Sequence, residues 1–513
     1  MNHRTASFGA ISTPHHTATQ VGERILREGG NAIDAAVAAA LALCVTYPNN
    51  VALGSDLVAL VHAPDGSVIE VNATGPAPQG ATVDLMRERH GDALPMYGVD
   101  TITVPGAVRG LERLLALGGA KTWREVVEPA AALARDGVPM PSSVAKGILA
   151  LDAGLRADPG CREVFFADDR PLGVGETFRQ PALARTLERL AERGPDEFYT
   201  GAVGERWLAT LRQVGSLLSP RDLSEYRPEV GPALSVDVGD LRLLSSNPNT
   251  QGFALLRAVR ESWTAASDAS GAIDPVLLAE AFRRTNAVRD QFLADPMRGG
   301  LSGEQLLDVG VPDGVDAPYR GRPMGDTVGI AVASADGYAV SLIQSVYFQF
   351  GAVVLDPHTG VLFQNRGASF SLDPEAANAF APGKRPGHTL MPVLIERGGE
   401  LRWVSATMGG QGQPQIHAQL LEAVLTGSDP AAAVTRPRWL VGRQTPSDTP
   451  DTVTVENGVD AALVAEFDRT GLAVKRIPDL SDVVGHANLI ELDGLGGMTA
   501  ASDPRSDGSA VVC

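Results

Sequence analysis

Cysteine is nearly absent. The chain has three in 513 residues, Cys44, Cys161 and Cys513, far apart and odd in number. No Cys-x-x-Cys pair exists, so neither a disulfide framework nor a cysteine-rich zinc site is indicated. Each thiol reads as a buried or terminal free cysteine. The nine histidines offer no metal-ligand spacing, and the adjacent His15 and His16 are poor geometry for one ion, so no metal site is expected. Positive charge is in deficit: 43 Lys and Arg against 61 Asp and Glu leave a net charge of −18. A nucleic acid or an anionic membrane needs a basic face, so the balance argues against both as main partners. Long apolar runs are missing as well. The longest, Ala35 to Val45, falls well short of the roughly 20 residues that a membrane span requires. Met1-Asn-His-Arg-Thr5 enters no apolar stretch, so the sequence predicts no secretory signal and a cytoplasmic location.

Familiar catalytic signatures are missing too. There is no phosphate-binding GxxxxGK[ST] loop, no GxSxG elbow and no GxGxxG opening a helix after a strand. Met408-Gly-Gly-Gln-Gly412 is glycine-rich without the fingerprint spacing. No solenoid repeat and no low-complexity run is present.

What is present suffices for a large core: 44% hydrophobic and 20% charged residues describe a globular chain. A helical rhythm runs from Thr17 to Glu28 and stops at Gly29-Gly30. The Ala-rich stretch after Asn31-Ala-Ile-Asp34 reads as a buried helix. Leu57–His62 and Ser67–Val71, separated by Pro64-Asp-Gly66, read as a β-hairpin. Helices are predicted over Ala107–Leu117, Trp123–Asp136, Gln180–Arg193, Val203–Val214, Pro275–Asp290 and Gln413–Leu425. Strands are predicted at Leu241–Ser245, Met391–Glu396 and Leu401–Ser405, with two near Thr452–Val455 and Ala487–Leu492 closing the chain.

The stretch Leu301 to Asp326 is rich in Gly, Asp and Pro and carries no apolar period. Irregular segments of that length are functional, mobile or linkers, or plain surface loops. Strand signal returns abruptly in Thr327–Ala333 and Gly337–Gln344 around Ser334-Ala-Asp336, a second hairpin. A threonine opening a strand is ordinary. Its functional reading is self-cleavage after Asp326, which makes Thr327 a new N-terminus. An α-amine has a pKa near 8, so it can take the proton of the adjoining hydroxyl near neutral pH.

The residues here carry a resemblance that spans nearly the whole chain. Gly29-Gly-Asn-Ala-Ile-Asp-Ala-Ala36, Val104-Pro-Gly-Ala-Val108, Trp123-Arg-Glu-Val-Val-Glu-Pro129, Leu218-Ser-Pro-Arg-Asp-Leu223 with Tyr226-Arg-Pro228, and Pro248-Asn-Thr-Gln-Gly252 come in order. Gly325-Asp-Thr327, Lys384-Arg-Pro386, Met408-Gly-Gly410 and Ala501-Ser-Asp-Pro-Arg505 follow. The sequence resembles the γ-glutamyltransferase family of N-terminal nucleophile hydrolases. That resemblance implies an αββα fold of two stacked sheets between helical layers. It implies a precursor cut between Asp326 and Thr327, with residues 1–326 and 327–513 staying intertwined as a heterodimer, and it calls for no cofactor. Thr327 is then the nucleophile, and the Gly409 and Gly410 amides are the oxyanion hole. Ser345 falls where the family places a hydroxyl supporting the new amine. Thr389 falls on a hydroxyl near the substrate. A strand hydroxyl and a loop hydroxyl with no role are the plain alternatives for these two.

The same resemblance exposes departures. A glutamyl donor presents an α-carboxylate and an α-ammonium, gripped in the transferases by an arginine and a carboxylate. Here Pro78-Gln-Gly-Ala-Thr-Val83 puts Val83 at the arginine's place, and Gln364-Asn-Arg-Gly-Ala-Ser-Phe370 puts Ser369 at the carboxylate's. Tyr347 stands for the family's asparagine, and His388 and Thr389 for its paired serines. Losing one partner of a buried charge pair costs about 3–5 kcal/mol, so γ-glutamyl recognition should be weak. The segment from Gln364 through Asn365, Arg366 and Ser369, with Phe348-Gln-Phe-Gly351 upstream, is similar to the oxamate amidohydrolase branch, whose members hydrolyse amides of small carboxylic acids. Homologues in natural-product pathways, some tied to loss of an oxalyl-type group, resemble it too. Arg366 is then either a carboxylate anchor or half of a structural salt bridge, and His388 either donates to substrate or packs beside it. Three functions stay open at this point: a self-processing amidohydrolase for a small acidic amide, a γ-glutamyl enzyme with relocated clamps, and an unprocessed binding protein.

Overall fold

The computed structural model describes residues 4–5, 7–265, 273–312 and 326–513. Two antiparallel seven-stranded sheets dominate it. Their strands, in chain order, are β1 (Arg4–Thr5), β2 (Gly9–Thr13), β3 (Asp56–His62), β4 (Val68–Ala73), β5 (Glu229–Pro232), β6 (Leu234–Val238), β7 (Leu241–Ser245), β8 (Asp326–Ser334), β9 (Ala339–Tyr347), β10 (Val393–Arg397), β11 (Glu400–Met408), β12 (His486–Leu492), β13 (Gly497–Ser502) and β14 (Ser509–Val512). One sheet runs β1-β13-β12-β11-β10-β7-β6 and the other β14-β2-β8-β9-β3-β4-β5. Each sheet therefore mixes strands from before and after the Asp326–Thr327 bond, so the two stretches of chain share one core.

Four layers result. Alanines and larger aliphatic side chains fill the space between the sheets, among them Ala331, Ala333, Val404, Ala406 and Ile490. Gly329 on β8 makes the approach closest. A Cβ there would sit 2.7 Å from the Ala406 carbonyl carbon and from the Thr407 amide nitrogen, both on β11. Two inter-sheet bonds add to the contact: the Asn488 side chain donates to the Gly329 carbonyl at 2.8 Å, and Ser341 to the Ser405 carbonyl at 2.7 Å.

Helices cover both outer faces. Helices α1 (His16–Arg27), α2 (Ala32–Thr46) and α3 (Ala107–Leu115) pack on one sheet, and α4 (Trp123–Asp136) lies over α2. Helices α5 (Gly252–Ala265) and α7 (Gln413–Leu425) pack on the other, and α6 (Pro275–Phe292) lies over α5. All fifteen residues of α2 are buried, which its alanines permit at close interaxial distance. Its start is fixed by a capping box in which Asn31 and Asp34 satisfy each other's backbone. Asp34 also accepts from the Ala120 and Lys121 amides, so the motif Asn31-Ala-Ile-Asp34 locks the helix to a distant loop.

Most predicted elements stand within a few residues of their expected bounds. Two readings need correction. The stretch Leu301 to Asp326 is not wholly irregular: Gly303–Asp308 is helical, capped by Ser302 with Gln305, and buries Leu306 and Leu307. Residues 313–325 lie outside the described part. Nor do strands near 452 and 487 close the chain. β13 and β14 follow, and β14 pairs with β2 near the other end of the sequence. Among the described residues no helix is long and apolar enough to cross a membrane.

Candidate active site

Thr327 lies at the beginning of β8, 1% exposed. The pairing of β8 with β9 shifts register between Asp326 and Val328, so Thr327 sits on an irregular step rather than in the ladder. Its hydroxyl donates to Ser345 Oγ at 3.1 Å, and its carbonyl accepts from the Asn50 side chain at 3.3 Å. Ser345 Oγ also accepts the Tyr347 amide at 2.8 Å. That bond holds Tyr347 at φ 81°, a left-handed conformation rare for a bulky residue.

The strained turn aims the Tyr347 ring at Arg366, whose guanidinium carbon lies 3.8 Å from the ring centroid. Arg366 is buried. Its Nε and Nη2 donate to the Gly387 carbonyl, and its Nη1 donates to Thr389 Oγ1 at 3.1 Å. Among the described residues no carboxylate lies within 4.0 Å of it, which removes the salt-bridge reading. Burial lowers its pKa, while Tyr347 and Asp56 pull the other way. Three of its five N–H bonds are used, leaving one on each terminal nitrogen, enough for a two-point grip on an anion.

Beyond Thr389 the chain of contacts reaches the glycine loop. The Gln251 side-chain nitrogen donates to the Thr389 carbonyl and to the Gly410 carbonyl, each at 2.8 Å. Gly409 and Gly410 follow directly on β11, with φ of 156° and 52°. Thr327, Ser345, Tyr347, Arg366, Thr389 and Gly410 are thus joined in one continuous path.

The remaining expected residues hold this path rather than face a ligand. The Asn365 side chain accepts the Phe348 amide at 3.1 Å and donates to the Met96 carbonyl at 2.6 Å, so it clamps two loops. Ser369 donates to the Arg366 and Gly387 carbonyls and fixes the loop around the guanidinium. His388 needs the larger correction. Its Nδ1 accepts the Leu390 amide at 3.2 Å, so the ring proton sits on Nε2, which faces Asp56 Oδ2 at 3.2 Å. Burial, with the charges of Arg366 and Arg385, holds its pKa well below the ordinary value. A neutral ring with both nitrogens engaged is no general acid or base. Val83 packs against an apolar cluster containing Phe370 and Phe380, so the transferases' arginine has no charged replacement at its own position. The side chain of Asp326 lies outside the described part.

Asp56, Gln251 and Asn50 escape the sequence reading. Asp56 opens β3 directly opposite Ser345. Burial pushes its pKa up to about 8, opposed by the Gly75 amide, the Arg366 charge and the Gly106 amide. A carboxylate at the head of the apolar run Leu57-Val-Ala-Leu was the available signal. Gln251 sits inside a motif quoted for its order but given no task.

Two stacked antiparallel sheets between helical layers, with a buried threonine at a strand start, are the architecture of the N-terminal nucleophile hydrolase class. The gamma-glutamyltranspeptidase family model matches residues 18–513, and the chain belongs to that family. It is 35% identical to an oxamate amidohydrolase proenzyme of Klebsiella pneumoniae, over 99% of this chain and 98% of that protein. It is 34% identical to a glutathione hydrolase-like proenzyme of Bacillus subtilis, over 98% of each. In three dimensions it is similar to a cephalosporin acylase from Bacillus halodurans, with a TM-score of 0.90 and 31% identity over 100% of this chain and 97% of that one. The chain is accordingly a hydrolase proenzyme of the self-processing kind.

Proposed function

We propose that the mature protein hydrolyses an amide, or a related acyl bond of oxalyl type, in a small substrate bearing one carboxylate, with Thr327 as nucleophile. The observation that carries this reading is Arg366: a buried guanidinium that contacts no carboxylate among the described residues and is joined to Thr327 through Tyr347 and Ser345. The oxamate amidohydrolase relative points the same way. Ser369 and Val83 at the places of the transferases' two clamps, and Asp56 already bonded to the Gly75 amide and His388, support this reading over a glutamyl donor.

Processing precedes turnover. Thr327 Oγ1 attacks the Asp326 carbonyl carbon, the C–N bond breaks, and the hydroxyl proton passes to the departing nitrogen. Water then cleaves the ester, leaving a carboxylate on Asp326 and a free amine on Thr327. Ser345, which accepts from the Thr327 hydroxyl, orients it. In turnover the amine takes the hydroxyl proton as Oγ1 adds to the substrate carbonyl, then returns it to the leaving amine. The Gly409 and Gly410 N–H groups receive the developing oxyanion. Such donors contribute about 3–4 kcal/mol each to the transition state. Water hydrolyses the acyl-enzyme.

The test combines Edman sequencing with two substrate series. The smaller fragment should begin at Thr327, Thr327→Ala should neither cleave nor turn over, and Thr327→Ser should retain part of both. Oxamate-like amides should be hydrolysed well ahead of γ-glutamyl anilides. The reverse preference would overturn the substrate assignment, and one intact chain in an active preparation would overturn the nucleophile.

A further inference from the structure

We infer that Gln251 is a positioning residue that fixes the oxyanion loop at a set distance from the anion site. This rests on the proposed roles of Gly409, Gly410 and Arg366. Gln251 is fully buried, immediately before α5. An amide nitrogen has two N–H bonds, and Gln251 uses both on carbonyls of two separate segments, Thr389 and Gly410. No other described side chain bonds to both loops.

The loop needs such a hold. Two adjacent glycines with φ of 156° and 52° have little steric preference of their own. The Gly409 carbonyl is turned inward, accepting the Gly412 amide at 2.8 Å. In a trans peptide the carbonyl and the next N–H point opposite ways, so the Gly410 N–H points out of the turn. The Gly410 carbonyl is held by Gln251 and by the Gln413 amide. The bond to the Gly409 carbonyl fixes the peptide that carries the Gly410 N–H, and the bonds to the Gly410 carbonyl fix the following peptide, so Gln251 secures the far side of the glycine loop. Among the described residues the Gly409 and Gly410 N–H groups donate to no acceptor, which suits a pair reserved for a substrate oxygen.

The other N–H of Gln251 secures the consequence for specificity. Thr389 carries both the carbonyl that Gln251 holds and the hydroxyl that Arg366 bonds. One side chain thereby ties the group that grips the substrate carboxylate to the group that polarises the scissile carbonyl. The spacing between those two substrate groups is what the tie selects.

Gln251→Met keeps length and burial but donates nothing. Gln251→Glu keeps shape and opposes two carbonyl oxygens with a carboxylate. Both are first checked by Edman sequencing for the Thr327 terminus. In the processed variants kcat should fall roughly 10²-fold with KM nearly unchanged, since a displacement of about 1 Å in a catalytic group costs that much. Discrimination between amides one methylene apart should narrow. A carboxyethyl boronic acid, which becomes tetrahedral on reaction with the threonine hydroxyl, should lose affinity by the same factor as kcat. Succinate, its trigonal counterpart, should bind as before. Unchanged kcat and boronate affinity in processed Gln251→Met would overturn the inference, as would a change confined to KM. If the wild-type protein binds the boronate no better than succinate, the oxyanion assignment of Gly409 and Gly410 itself is wrong and the inference falls with it.

Discussion

Replacing Arg366 by methionine should weaken substrate binding and leave the fold intact or firmer, two effects of opposite sign from one substitution. The anion loses two charge-assisted hydrogen bonds, each contributing about 1.5–3 kcal/mol. At 1.36 kcal/mol per decade that is a rise of roughly 10²–10⁴-fold in KM or in the Kd of a small carboxylate such as oxalate. Stability behaves differently. The wild-type guanidinium is buried with no carboxylate in contact, so its removal relieves a desolvation cost of several kcal/mol. Little is orphaned in return. The Gly387 carbonyl still accepts from Ser369, and the lost stacking on Tyr347 amounts to about 0.5–2 kcal/mol. The assay pairs calorimetry of apoprotein with hydrolysis of an acidic amide and of its methyl ester. Arg366→Met should bring the two substrates to similar KM while Tm holds or rises. A fall in Tm together with an unchanged preference for the acid would refute the reasoning, because it would mean that Arg366 holds the fold and not the ligand.

The pKa of Asp56, raised to about 8, predicts a pH effect on stability. The folded state binds its proton more tightly than the unfolded chain, whose aspartate titrates near 4. Stability is therefore lost as pH rises from about 4 to about 8. Relative to Asp56→Asn, the wild-type protein should lose Tm steadily over that window, and parallel Tm curves would count against it. Ser345→Ala removes the acceptor for both the Thr327 hydroxyl and the buried Tyr347 amide, at about 1–3 kcal/mol. Mass spectrometry of freshly made protein should show slower cleavage, and a wild-type rate would clear Ser345 of any part in processing. Gly329→Ala places a methyl against the β11 backbone and should destabilise by about 1–3 kcal/mol. Urea titration would read this, and an unchanged midpoint would show that the sheets have room to part there.

Much of this was legible in the sequence, for reasons that differ residue by residue. The apolar runs in Leu57–His62 and Thr327–Ala333, the Asp-Gly turns between strands and the Gly29-Gly30 stop are local signals, so the central hairpins and the buried helix were read with small errors at their ends. β14 was not, because Ser509–Val512 is four residues long and its partner β2 lies near the other end of the chain. Thr327 was singled out because the chemistry read into it needs only its own hydroxyl and amine. His388 was left open between donating to substrate and packing beside it, because a histidine's role depends on its second neighbours. Those neighbours, the Leu390 amide and Asp56, are a backbone group and a residue 332 positions away. Asp56 and Gln251 act through contacts between segments, and no spacing rule in one chain records such contacts.

The charges around the site explain why the anion must come from outside. Arg366 feels Asp56 but does not touch it. Asp56 is turned away by three groups: the Gly75 amide on Oδ1, the His388 ring on Oδ2, and the β-ladder that sets its backbone opposite Ser345. His388 cannot release it, since the Leu390 amide on Nδ1 keeps the ring proton on Nε2. In its present place burial keeps the Asp56 proton up to about pH 8; were Asp56 free to swing onto Arg366 it would ionise there, the pair would neutralise itself and a substrate carboxylate would have to displace it. Held apart, the two leave a guanidinium whose burial is compensated only when a carboxylate arrives. Releasing Asp56 should therefore close the site to ligand. In His388→Ala the carboxylate loses its Nε2 tether and is free to turn toward Arg366, so oxalate affinity should drop although no residue touching the ligand has changed. Asp56→Asn combined with His388→Ala removes the competing charge and should restore part of that affinity. A double variant that binds oxalate no better than His388→Ala alone would show that Asp56 is not the competitor.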